Sequence, residues 1–178
     1  MAHIEYKPVT AVWEVTMGCN MRCGHCGSSC AGALPGELST DEALDLCDQI
    51  AELGLRWITL SGGEPLTRKD TPKLVKRLSR NGVKVNIITN GWLLDEEMAK
   101  KLKKSGISTV AISIDGTPKI HDSVRKEGAF EHARNAFFAM TELGIETGAV
   151  TTITKKNIDI LSDLKEELIS MGVKTWHS

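Results

Sequence analysis

The chain has 178 residues, 41% of them hydrophobic, which suits one domain with a packed core. Its 22 basic and 23 acidic residues leave a formal charge of −1, so electrostatics make no case for nucleic acid or an anionic membrane as partner. No apolar run reaches the roughly 20 residues of a membrane span, residues 1–8 lack a signal peptide's apolar segment, and the five cysteines crowd toward the N-terminal quarter, as expected of reduced thiols in the cytoplasm.

Residues 9–15 are β-branched and read as a first strand that feeds a cysteine-rich loop. Ser39 and Glu42 have capping-box spacing, and Ala43, Leu44, Cys47, Ile50 and Ala51 mark the inner stripe of a helix ending at Gly54. A second strand spans 56–60. Thr71 is expected as N-cap of the next helix, with Pro72 at its first position, Leu74, Val75 and Leu78 inside, and Gly82 at its end. Strand three covers 83–88. Asp95 caps a helix running to Gly106, and strand four covers 108–114. A helix from about 129 to 143 ends at Gly144, and strand five follows at 145–151. Asn157 is expected to cap a fifth helix ending at Gly172, before a sixth strand begins at 173.

Five repeats of helix, glycine and short apolar run imply βα units, a parallel sheet and right-handed crossovers. Periodicity alone leaves a doubly wound, flavodoxin-like sheet open beside a partial barrel. Cysteines follow strand one, Ser61-Gly62-Gly63-Glu64-Pro65 follows strand two, Thr89-Asn90-Gly91 follows strand three, and Asp115-Gly116 follows strand four. Parallel α/β architectures collect such loops on one catalytic face.

Cys19, Cys23 and Cys26 have the spacing C-x3-C-x2-C, and three thiolates so close can meet one soft metal centre. Structural zinc sites close with four ligands, and most iron–sulfur clusters take four cysteines. Three therefore suggest a cluster with one iron open to a non-protein ligand. Cys30 is the alternative fourth ligand of a closed, non-catalytic site. Cys47, on a helical stripe, reads as a small hydrophobe.

The run Cys19-Asn20-Met21-Arg22-Cys23-Gly24-His25-Cys26 resembles the CxxxCxxC signature of the radical S-adenosylmethionine enzymes. The resemblance implies an open (β/α)6 partial barrel, related to the TIM barrel, with the last helix missing from this chain. It also implies a [4Fe–4S] cluster on Cys19, Cys23 and Cys26, with S-adenosylmethionine on the fourth iron. One electron from the cluster cleaves the S–C5′ bond, and the 5′-deoxyadenosyl radical takes hydrogen from a substrate.

The resemblance further places Gly62, Gly63, Glu64 and Pro65 in the motif that receives the methionyl amino group. Thr89 and Asn90 line the cofactor site, although Asn90-Gly91 is also a generic turn. Ser113 and Asp115 meet the ribose. His25 stands where the family has an aromatic residue near adenine. Arg125, in His121-Asp122-Ser123-Val124-Arg125, lies near the cofactor's carboxylate.

The motif set most resembles members that modify peptides or proteins, many of which carry a C-terminal extension with further clusters. No such extension is present here, so residues 1–178 are expected to be the core domain of a longer polypeptide, cut after strand six. A molybdopterin-precursor type of cofactor biosynthesis is the other enzymatic expectation. The implied partners are a peptide or small-molecule substrate and a one-electron reductant such as a flavodoxin or ferredoxin, with no nucleic acid and no membrane.

Overall fold

The structure, a computed structural model, describes residues 7–178; most of the stretch read above for a leader segment lies outside the described residues. Six parallel strands form one open sheet: β1 (Thr10–Thr16), β2 (Trp57–Gly62), β3 (Lys84–Thr89), β4 (Thr109–Ser113), β5 (Glu146–Val150) and β6 (Thr175–His177). The helices are α1 (Thr40–Glu52), α2 (Thr71–Arg80), α3 (Glu96–Ser105), α4 (Pro118–Val124), α5 (Ala129–Glu142) and α6 (Leu161–Ser170).

The strands pair strictly in chain order, β1 to β6. A doubly wound sheet needs a point where that order reverses, so this order excludes it. Right-handed crossovers that all advance in one direction put the helices on one side. Ile58, Leu60, Val85, Ile87, Val110 and Ile112 accordingly share a buried core with Cys47, Leu74, Leu78, Leu102 and Phe137 from the helices. Residues between them on the strands, such as Thr59, Asn86 and Ala111, point to the other, more open face.

Local signals account for most element ends. Ser39 and Glu42 form the reciprocal capping box, and the Asp95 carboxylate accepts the Met98 N–H at 2.8 Å. Two expected caps differ. The N-cap of α2 is Asp70, not Thr71, and its carboxylate is taken by Arg68 and by the Thr40 hydroxyl at 2.7 Å. Thr71 is the first helical residue, and its hydroxyl donates to the Pro65 carbonyl at 2.6 Å. Asn157 does not cap α6. It precedes a short 3-10 turn (Ile158–Ile160) and turns its side chain back to the end of β4. The short α4 is an element that periodicity did not indicate.

Candidate functional site

The cysteine loop begins at an irregularity. The register of β1 against β2 shifts between Glu14 and Thr16, bringing Thr16 opposite Gly62. Such a shift re-aims the chain leaving a sheet. The Gly63 N–H donates to the Thr16 carbonyl and the Glu64 N–H to the Gly18 carbonyl, each at 2.8 Å. A Cβ on Gly62 would lie 2.2 Å from the Thr16 carbonyl oxygen, and one on Gly63 2.4 Å from that of Gly18. The glycine pair is thus required by close packing of two loops. The loop then folds back through Cys19 N–H to Ala31 O and is tied to the end of α4 by Gly24 N–H to Val124 O, both 2.8 Å.

These contacts enclose a cavity of about 180 Å³ at the ends of the first four strands. Its wall takes Cys19, Cys23, His25 and Cys26 from the first loop, and Gly62, Gly63 and Glu64 from the second. Thr89 and Asn90 come from the third, and Ser113 and Arg125 from the fourth and α4. Two residues expected with them do not line it. Pro65 is buried and opens the 3-10 turn Pro65–Thr67, so it shapes the chain after Glu64. Asp115 is buried behind the wall.

Glu64 is held from three sides. Its Oε1 accepts from the Thr89 hydroxyl at 2.8 Å and the Leu66 N–H at 3.1 Å, and its Oε2 accepts from the Asn90 N–H at 2.7 Å. Burial pushes its carboxyl above the usual range, against the pull of these donors. Asn90 also donates to the Asn20 Oδ1 at 2.7 Å, joining the third loop to the cysteine loop.

Asp115 sits between three loops. Its Oδ2 accepts from Nε of Arg125 at 2.5 Å, with Nε2 of His25 3.5 Å away, and its Oδ1 accepts from the Thr152 N–H at 2.9 Å. The Asp115 N–H donates to Nδ1 of His121 at 3.0 Å, and its carbonyl accepts from Nδ2 of Asn157 at 2.8 Å. His121 and Asn157 were not expected in the site. His121 stands inside the motif quoted for Arg125, but nothing local marks Asn157, whose partner is 42 positions away.

Burial pushes the Cys19 and Cys23 thiols up, while the Arg125 charge pulls Cys23 back. Cys26 lies below its ordinary value because backbone N–H groups, foremost that of Cys30, point at its sulfur. Cys30 is buried against the same cavity, and its thiol also donates to Cys26. Among the described residues no three His, Cys, Asp or Glu side chains gather closely enough for a single metal ion. A polynuclear cluster asks for something else: each cysteine binds its own iron, so thiols ring a volume. Three ringed thiols beside a guanidinium and a buried carboxylate fit such a cluster with a zwitterionic ligand.

The sequence model described as the Radical SAM superfamily matches residues 13–168. The chain is 43% identical over 166 residues to the Fe-coproporphyrin III synthase of Methanosarcina barkeri, covering 90% of this chain and 41% of that protein. It is 34% identical over 158 residues to the mycofactocin maturase MftC of Mycolicibacterium smegmatis, covering 88% of this chain and 40% of that one. Among solved structures, Streptococcus suis SuiB bound to S-adenosylmethionine superposes with a TM-score of 0.84 at 19% identity, over 95% of this chain and 40% of SuiB. SuiB bound to its precursor peptide SuiA gives 0.80. The chain thus spans less than half the length of these relatives.

Proposed function

The chain belongs to the Radical SAM superfamily, and we propose that it is the core of a superfamily enzyme acting on a peptide or protein. The superfamily uses a [4Fe–4S] cluster and S-adenosylmethionine. Cys19, Cys23 and Cys26 would hold the cluster. The cavity wall they share with Gly62, Gly63, Glu64, Thr89, Asn90, Ser113 and Arg125 would enclose S-adenosylmethionine. That shared wall is the observation that carries the reading. When bound, the pair supplies reductive cleavage of the S–C5′ bond and a 5′-deoxyadenosyl radical that takes hydrogen from an unactivated C–H bond.

The chain's own residues bind and orient. The Gly62–Gly63 backbone and the remaining lone pair of Glu64 offer acceptors to an ammonium. Arg125 offers a guanidinium, whose planar fork matches a carboxylate. Ser113 offers a hydroxyl to the ribose, and the His25 ring a face to the adenine. A flavodoxin or ferredoxin in a reducing compartment, such as the cytoplasm, is the electron donor proposed. No helix among the described residues is long and apolar enough to cross a membrane. Because the relatives are more than twice as long, residues 1–178 are proposed as the core unit of a longer polypeptide.

A peptide substrate is supported by the maturase relative and by the SuiB–SuiA complex. The higher identity to the Fe-coproporphyrin III synthase favours a second reading, a tetrapyrrole substrate. Mass spectrometry separates them: 5′-deoxyadenosine forms together with either a mass change in a precursor peptide or conversion of a tetrapyrrole precursor to Fe-coproporphyrin III. The test common to both is anaerobic reconstitution with iron and sulfide, then 5′-deoxyadenosine release with dithionite and S-adenosylmethionine. Cys23→Ala is expected to lose both the brown absorbance and the release; full release by that variant contradicts the reading.

A further inference from the structure

We infer that Asp115 is a positioning residue rather than a ligand contact: with His121 and Asn157 it fixes the Arg125 guanidinium against the cavity. The inference rests on the S-adenosylmethionine reading of that cavity. Family resemblance places Asp115 on the ribose, but its neighbours argue otherwise.

Asp115 is 1% exposed and absent from the wall, while Ser113, two residues earlier, and Arg125 both line it. Each carboxylate oxygen is occupied, Oδ1 by the Thr152 N–H and Oδ2 by Arg125. A ribose hydroxyl would find only the remaining lone pairs of these oxygens, behind the wall and in competition with Thr152 and Arg125.

The main chain around Asp115 is fixed from two sides. His121, itself fully buried, accepts its N–H. Asn157 donates to its carbonyl and to the Thr152 carbonyl at 2.9 Å, and accepts the Thr154 N–H at 2.7 Å. The loop between β5 and α6 is therefore closed around Asp115. Gly116, at φ +159°, lets the chain leave at once for α4; a Cβ there would lie 2.9 Å from Ile120.

Arg125 is gripped through Nε, and among the described residues its terminal nitrogens make no hydrogen bond. That leaves the fork for the cavity, with its direction set by Asp115. The same guanidinium charge is felt at Cys23 and Glu64. Misplacing it would alter the whole site while leaving every wall residue present.

The test is a double-mutant cycle on S-adenosylmethionine binding, by equilibrium dialysis against anaerobically reconstituted protein, with thermal midpoints as a control for folding. Asp115→Asn is expected to raise the dissociation constant about tenfold in the Arg125 background and less than about twofold in the Arg125→Gln background, because both substitutions remove one interaction. Asn157→Asp, which keeps the shape but loses the donor, is expected to follow the same pattern and serves if Asp115→Asn does not fold. Equal losses in both backgrounds would mean that Asp115 touches the ligand itself and would overturn the inference. No binding by the wild-type protein would instead overturn the cavity reading beneath it.

Discussion

His121 is neutral because of where its ring lies. It is fully buried, its Nδ1 accepts the Asp115 N–H, and its ring meets Phe130 edge-on at 6.0 Å between centroids. Burial, then the Arg125 charge, pushes its pKa down to about 4 from 6.5. A depressed pKa contributes stability that is present above pH 6.5 and lost as pH falls through about 4, because the unfolded chain takes the proton first. The loss is expected to be on the order of 3 kcal/mol across that window. His121→Asn keeps an acceptor and cannot charge, so urea unfolding at pH 7 and at pH 4.5 should show a distinctly smaller acid loss than in the wild type. An equal loss would contradict the account. Single residues were also where the sequence misled. Asp70 and Asn157 belong to types that favour caps and turns. Beside local partners, each side chain also serves one far along the chain, Thr40 for Asp70 and Asp115 for Asn157, 30 and 42 positions away, which no local window contains.

The motif at 121–125 makes sense only as an element. His121 in α4 secures the end of β4, Asp122 turns to the next helix, and Arg125, the residue that ends α4, lines the cavity. The Asp122 carboxylate accepts the Gly128 N–H and the Phe130 N–H, both at 2.8 Å, at the start of α5, whose own N-cap Gly128 has no side chain to offer. Asp122→Ala is therefore expected to cost about 1–2 kcal/mol, as lost caps do, read as a lower thermal midpoint of the unloaded protein; an unchanged midpoint would show that the cap is not used. Seven residues are too few for a helical stripe to stand out, so periodicity gives no sign of this helix. The longer helices were legible because each repeats apolar positions over two or more turns and stops at a glycine. Gly54, Gly82, Gly106, Gly144 and Gly172 all adopt the left-handed conformation in the structure.

For the molecule as a whole, strand order decides most. Sequential parallel pairing sends every β-to-α loop to one end of the sheet, so motifs as far apart as Cys19 and Arg125 meet at one cavity. That convergence could be read from the βα rhythm before any geometry was known. Which side chains turn inward could not, since Asp115 and Ser113 share a strand-end pattern yet only Ser113 reaches the wall. Nor could the reason for the glycine pair, which lies in contact between loops from neighbouring strands. The central claim is a cluster held by Cys19, Cys23 and Cys26 with one position left for S-adenosylmethionine. Electron paramagnetic resonance of the reduced, reconstituted protein, recorded with and without S-adenosylmethionine and repeated on Cys30→Ala, tests it most directly. The account predicts a cluster signal that shifts when S-adenosylmethionine is added, in both proteins. A signal that ignores S-adenosylmethionine, or a cluster lost in Cys30→Ala, would contradict it.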